Sequence, residues 1–291
     1  LPVEEILRQK SKVFDIDEKG TDRYFMNILV CVKQVPDTTS IKIDPIKHTL
    51  IREGVPSIVN PYDGYALEMA ARIKDQLGGK ITLLSMGPEQ AKNALRDCLA
   101  VGGDEAYLVS DRVFGGSDTL ATSCILSAAV KVLEEKQGTP FDLIFCGKQA
   151  IDGDTGQVGP ELAEHLNRAL ITYAYEAEAT ESEIFIRREN DEGYDRIAAA
   201  LPAVITVEKT PYEPRYPSIK SKMAARKAEI HTLTSAEVVV PETSRGLKGS
   251  PTKVKATHTA EISKNGQILS DLSGEEAGIR IVSLLSDTGL I

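Results

Sequence analysis

Fifteen residues from Cys146 to Pro160, reading Cys-Gly-Lys-Gln-Ala-Ile-Asp-Gly-Asp-Thr-Gly-Gln-Val-Gly-Pro, contain four glycines, a lysine, two glutamines, two aspartates and a threonine. They follow a mostly apolar run, Phe141 to Phe145, that reads as a buried strand, and precede a helical pattern opening at Pro160. Backbone N–H groups exposed between a strand and a helix start suit a phosphate or diphosphate. Glycines let the backbone approach the ligand closely. A plain strand-to-helix turn needs only a few residues, so this longer, donor-rich loop points to nucleotide binding. Other chemistry finds little support. Cys31, Cys98, Cys124 and Cys146 are scattered among apolar neighbours without metal-ligand or paired spacing, and are expected as buried thiols in a reducing cytoplasm. His48, His165, His231 and His258 are dispersed, and His165, beside Glu164, reads as a helix-surface residue. Spacing assembles no catalytic triad, zinc site or other metal site.

The elements that must position this loop alternate from Asn27 to about Leu166. Strands are expected at Ile28 to Val32, Ile81 to Leu84, Ala106 to Val109 and Leu143 to Cys146. Helices are expected at Tyr65 to Leu77, Glu89 to Ala100 and Asp118 to Lys136, closed by Gly78-Gly79, Gly102-Gly103 and Gln137-Gly138. Ile41 to Arg52 reads as a β-hairpin around Asp44-Pro45. Such alternation implies an α/β fold: a parallel sheet covered by helices on both faces, with ligands beyond the carboxyl ends of its strands. Those ends carry Cys31-Val32-Lys33-Gln34, Ser85-Met86-Gly87-Pro88, Phe114-Gly115-Gly116-Ser117-Asp118-Thr119 and the Cys146 to Pro160 loop. Four loops rich in small and polar residues thus converge on one edge. The spacing of Gly153, Gly156 and Gly159 differs from the GxGxxG dinucleotide fingerprint, which is missing after the first strand.

The rest of the chain has other character. Tyr173 to Ile186 and Ile197 to Val207, separated by the polar Arg187 to Arg196, read as antiparallel strands added to the sheet edge. Pro211 to Pro217 is rich in proline and tyrosine, and a basic helix follows from Ser218 to Lys227. This helix is a partner-docking candidate through Ile219, Lys220, Lys222, Met223, Arg226 and Lys227, against the alternative of a solvated face. Residues 1–25 are read as an extension that docks or remains mobile, with Val3, Ile6 and Leu7 at helical spacing, residues 26–230 as the nucleotide-binding body, and residues 231–291 as an arm for another subunit. No apolar run is long enough to span a membrane, no signal peptide is recognised, and a net charge of −9 argues against nucleic-acid binding.

From Met26 to about Val254 the chain resembles the beta subunit of electron transfer flavoproteins. The resemblance runs through Val32-Lys33-Gln34-Val35-Pro36-Asp37, Val59-Asn60-Pro61-Tyr62-Asp63, Ser85-Met86-Gly87-Pro88, the Cys146 to Pro160 loop, and Arg215-Tyr216 followed by the basic helix and Ala228-Glu229-Ile230. It implies a Rossmann-like, adenine-nucleotide-hydrolase-like fold with a C-terminal arm around an alpha subunit that supplies most of one FAD site. It also implies an adenine nucleotide on Cys31, Asn60, Met86 and the run Gly147, Lys148, Gln149, Ala150, Ile151, Asp152, Gly153, Asp154, Thr155, Gly156, Gln157 and Val158. In most members that nucleotide is AMP; in electron-bifurcating members it is a second FAD, whose ring faces an NAD(H) site. Phe114 to Ser123 resembles the bifurcating branch, with Gly115, Gly116, Asp118, Thr119 and Thr122 in its GG-x-DT-x-ATS motif.

The function this implies is hydride acceptance from NADH and division of its electrons. One goes through the alpha-subunit FAD to an acyl-CoA or 2-hydroxy-acid dehydrogenase, the other to ferredoxin or flavodoxin. No side chain need act as nucleophile or base. Lys148 is a candidate phosphate or flavin partner, and Lys33 and Gly87 are also expected to bind the cofactor. Asp118, Thr119, Thr122, Gln149, Thr155 and Gln157 are expected as hydrogen-bonding groups. Asp152 and Asp154 would repel phosphate, and so are assigned to ribose hydroxyls or to holding the loop. The basic helix resembles, in position, the loop and helix that recognise partner dehydrogenases. The alternatives are a non-bifurcating subunit with structural AMP, an ATP-dependent adenylating enzyme suggested faintly by Gly115 to Thr119, and a stress-type nucleotide-binding regulator.

Overall fold

The computed structural model describes residues 14–16, 22–37, 42–43, 50–51, 56–253, 266, 268 and 270–291. Val3, Ile6 and Leu7 and the Asp44-Pro45 turn lie outside the described residues. Short strands β1 (Phe14–Ile16) and β2 (Asp22–Tyr24) pair antiparallel. The body then opens with β3 (Met26–Cys31). Strand β4 (Gln34–Pro36) is followed by β5 (Lys42–Ile43), β6 (Leu50–Ile51) and β7 (Ser57–Val59). Strands β5 and β6 pair antiparallel, as do β4 and β7.

Helix α1 spans Pro61–Leu77, four residues earlier than the apolar spacing alone predicts. Pro61 sits at its start, where a fixed φ suits the helix and a missing N–H costs nothing. There follow β8 (Gly79–Met86), α2 (Lys92–Leu99), β9 (Glu105–Val109), α3 (Thr119–Gln137), β10 (Leu143–Gly147) and α4 (Val158–Leu166). Among the described residues the main sheet has the order β13-β12-β11-β14-β10-β3-β8-β9-β15. Ile28, Val30, Leu143 and Phe145 point to one face, packed with Leu67 and Ile73 of α1 and Leu95 of α2. Leu29 and Ile144 point to the other, against Ile125, Val130 and Leu162 of α3 and α4. Two-sided burial explains why these strands read as continuous apolar runs.

The sequence expectation fails in detail beyond Leu166. The two expected strands are four: β11 (Ala169–Ala179), β12 (Glu183–Asn190), β13 (Gly193–Ala200) and β14 (Ala203–Val207). Only β12 and β13 extend the sheet antiparallel, whereas β14 lies parallel between β10 and β11. The Arg187 to Arg196 segment, expected as a separator, lies mostly within β12 and β13. Its polar residues pair across strands, Arg188 with Asp195 at 2.8 Å and Arg187 over the Tyr194 ring at 3.7 Å.

Helix α5 (Ile219–Lys227) is capped by Ser218, whose hydroxyl accepts the Ser221 N–H. Residues after 230 continue the body: β15 (His231–Leu233) pairs with β9, and Val238 and Val240 are buried against α3. Helix α6 (Gly246–Gly249) is a single short turn, and α7 (Gly274–Asp287) begins with a Ser273–Glu276 capping box. The four cysteines carry free thiols. No helix among the described residues is long and apolar enough to cross a membrane.

Candidate functional site

Strands β3 and β10 are parallel neighbours from which the sheet is built outward in opposite directions, β8 and β9 on one side, β14 on the other. A reversal of this kind leaves a crevice at the carboxyl ends of the two strands, where ligands of such sheets lodge. The Gly147 to Val158 loop leaves β10 here, and its form is set from below by two buried side chains of the α1 start. Asp63 accepts the Lys33 N–H (2.7 Å), the Gly147 N–H (3.1 Å) and the Asn60 amide (3.0 Å). Asn60 also donates to the Gln149 carbonyl (2.8 Å) and accepts the Ile151 N–H (3.2 Å). Desolvation raises the Asp63 pKa to about 7, against the lowering effect of its three donors and of the Lys33 charge.

The upper part of the loop is differently furnished. Ala150 closes a turn by accepting the N–H groups of Gly153 and Asp154. Beyond it, the N–H groups of Thr155, Gly156, Gln157, Val158 and Gly159 have no hydrogen-bond partner among the described residues. Helix α4 starts without a side-chain cap. Uncapped N–H groups at the positive end of a helix, beside the β3–β10 crevice, are chemically suited to an anion.

The side chains expected to assist are mostly engaged with protein. Lys148 is paired with Glu208 at 2.5 Å and lies over the Tyr173 ring. The Glu208 hydrogen bond raises its pKa despite partial burial. Lys33 is paired with Asp152 at 2.6 Å, and Gln149 donates to Asp154 at 2.8 Å, so both aspartates hold the loop. Asn60 is 1% exposed and braces the loop from beneath. Positive potential at the loop therefore comes from backbone N–H groups more than from lysines.

The other strand ends close the crevice. Cys31 and Met86 pack beside Cys146, and the Gly87 N–H bonds to the Val109 carbonyl. Thr119 faces Gln157 and Glu161, each at 3.2 Å, linking the starts of α3 and α4. Asp118 is the N-cap of α3: it accepts the Ala121 N–H and, from the C-terminal segment, the N–H and hydroxyl of Thr252. Burial pushes its pKa up, but these donors outweigh burial and leave it low. The Thr122 N–H is spent on the Asp118 carbonyl. Gly115 turns the chain, and Gly116, at φ +75°, leaves space filled by Leu247. These glycines thus have a packing reason of their own.

Sequence reasoning did not name Asp63 or Glu208 as site residues. Asp63 stood three residues after Asn60 at a helix start, a spacing that places both on one turn. Glu208 follows β14, whose place in the sheet was not foreseen. His165 is a correction: it is half-buried, and its Nε2, like Glu161 Oε2 one helical turn earlier, is shielded without a partner among the described residues. Of the docking candidates, Lys222 and Arg226 line a cavity with Val59, Gly64, Glu68 and Asp97. Ile219 and Met223 are 82% and 56% exposed, and Lys220, Lys222, Arg226 and Lys227 are also exposed. Only Ala225 of α5 is buried. The approach to α5 is fixed by Arg215, which binds Glu68 at 2.8 Å and Asp75 at 2.9 Å.

Comparison with known proteins places the chain in a family. The electron transfer flavoprotein domain matches residues 47–238. The electron transfer flavoprotein subunit beta of Megasphaera elsdenii is 52% identical over 246 residues, covering 84% of this chain and 91% of that protein. The caffeyl-CoA reductase-Etf complex subunit CarD of Acetobacterium woodii is 41% identical over 267 residues, 91% of this chain and 100% of that one. Protein FixA of Azotobacter vinelandii is 43% identical over 233 residues, 79% and 82% of the two chains.

Proposed function

Because this chain belongs to the electron transfer flavoprotein family, as a beta subunit, we propose that its crevice holds FAD and that the heterodimer it forms with an alpha subunit bifurcates electrons. The observation that carries nucleotide binding is the uncapped start of α4 with its free N–H groups beside the β3–β10 ends. The residues present fit a dinucleotide: N–H groups from Thr155 to Gly159 for phosphate, and Cys31 and Met86 as an apolar wall for adenine. When bound, FAD would take a hydride from NADH and pass electrons singly to the alpha-subunit FAD and to a low-potential carrier such as ferredoxin or flavodoxin. The chain's own task is to bind and orient. Asn60 and Asp63 fix the loop, while Lys33–Asp152 and Lys148–Glu208 leave little net charge at its rim.

The partner surfaces follow from what is left uncovered. Ile219 and Met223 with the surrounding basic side chains would dock an acyl-CoA or 2-hydroxy-acid dehydrogenase. The apolar residues of α7, exposed on this chain, would lie on the alpha subunit. The preference for FAD rests on the likeness of Gly115 to Ser123 to the bifurcating motif. A specific observation favours a second reading, a non-bifurcating subunit with AMP: Gly116 and Asp118 are already occupied by Leu247 and Thr252. Flavin and nucleotide analysis of the purified heterodimer separates the two. Two FAD per pair, with flavin bleaching on NADH addition, is expected; one FAD plus one AMP would establish the second reading instead.

A further inference from the structure

We infer that Asp63 is the positioning residue of this site: its carboxylate draws the ends of β3 and β10 together and so sets the cradle for the nucleotide. The inference rests on the adenine-nucleotide reading above and adds to it a residue that acts through the backbone. Asp63 lies at the junction of three chain segments, accepting from Lys33 after β3, from Gly147 at the end of β10, and from Asn60 before α1. Asn60 relays the contact to Gln149 and Ile151, so one carboxylate governs the lower half of the loop. Gly147 approaches so closely that a Cβ there would overlap Asp63 Oδ1 and Tyr62 Cβ. Among the described residues three donors and no acceptor hydrogen-bond the carboxyl, an arrangement that suits the ionised form. A proton on Asp63 would have no acceptor and would displace one of the donors.

The ionisable groups around Asp63 are Lys33 and Cys146 at the strand ends, Cys98 on α2 and Tyr62 on its own helix. Lys33, although paired with Asp152, lowers the Asp63 pKa only in part, while the Cys31 hydrogen bond and burial raise the Cys146 thiol and burial raises that of Cys98, so the compensation is incomplete. With its pKa raised to about 7, Asp63 changes protonation across the neutral range. Nucleotide affinity should therefore rise with pH as the carboxylate forms.

The test is calorimetric titration of AMP into the nucleotide-stripped heterodimer at pH 6 and pH 8, for wild type, Asp63→Asn and Asp63→Glu. The phosphate of AMP itself titrates in this range but equally for each protein, so differences between profiles read Asp63. Asp63→Asn is expected to bind about tenfold more weakly at pH 8, the size of a lost buried hydrogen bond, and to lose the excess pH dependence. Asp63→Glu, which keeps a displaced carboxylate, should weaken binding yet keep a pH slope; it carries the test if the asparagine variant does not fold. Retention of the alpha-subunit FAD reports folding in each case. Wild-type affinity and pH profile in either folded variant would overturn the role of Asp63. A wild-type heterodimer that binds neither AMP nor FAD in this subunit would overturn the nucleotide reading itself.

Discussion

At the level of single residues, the site depends on a buried charge that is costly to hold. Asp63 is 6% exposed, and three hydrogen bonds offset only part of the desolvation. Its pKa in the folded chain lies above the unfolded value of 3.8, at about 7. Folding then binds a proton between these values, so the stability contributed by protonated Asp63 is full below pH 3.8 and declines as pH rises through about 7. Asp63→Asn should remove that decline, seen in urea unfolding midpoints across pH 4 to 8. Unchanged pH dependence in the variant would contradict the assignment. Gly147→Ala tests the same contact sterically. The added methyl group meets the buried Asp63 carboxylate, the Asp63 backbone and the Tyr62 Cβ, and should cost about 2 kcal/mol in chemical denaturation. The glycines of this loop illustrate what sequence hides. Gly159 is small because Thr206 presses on it, and Gly156 adopts φ +63°, but the letters alone do not separate a packing glycine from a phosphate-facing one.

At the level of elements, the sheet is tied at its base by an ion pair that no local spacing foretells. Arg168, just after α4, binds Glu134 of α3 and the Phe141 carbonyl, and Glu134 also accepts the Phe141 N–H at 2.8 Å. The Arg168 side chain is only 7% exposed. Glu134→Ala would leave its charge unpaired and should cost about 3 kcal/mol, while combining Glu134→Leu with Arg168→Met should recover most of that loss. Thermal or urea unfolding measures both. Helix α5 behaves oppositely, since its outer side chains touch little of this chain. Ile219→Ala and Met223→Ala should leave the unfolding temperature within experimental error of wild type and lower the rate of electron transfer to the partner dehydrogenase. Equal rates would remove α5 from the docking surface. The β–α alternation up to Leu166 was legible because its strands are continuous apolar runs and its longer helices close on glycines such as Gly78 and Gly138. The β12–β13 hairpin was less so, because an edge hairpin exposed on its outer side uses charged pairs and cation–π contacts where buried strands use apolar residues.

For the whole molecule, the balance between body and partner surface lies in the last sixty residues. Residues 231–253 close the body: β15 completes the sheet edge, and Leu247 and Thr252 fasten the Gly115 to Asp118 loop. Helix α7, by contrast, buries no residue on this chain, and Ile279 and Val282 are 66% and 56% exposed. If this face meets the alpha subunit, Ile279→Glu should weaken heterodimer association at least about tenfold in sedimentation or titration experiments and leave the unfolding of the isolated chain unchanged. Sequence by itself determined the α/β alternation and the family resemblance, and it singled out the Gly147 to Val158 loop as the candidate site, because periodicity and donor-rich loops are local properties of a chain. Tertiary structure decided which groups in that loop are free. Lys148, Lys33 and Asp118 found partners more than thirty residues away, in Glu208, Asp152 and Thr252. Asp63, in the sequence only the last residue of a family motif, became the hub of the loop. Hydrogen-bond saturation and burial depend on what the fold brings alongside a residue, and neighbours distant in the chain leave no mark on local spacing.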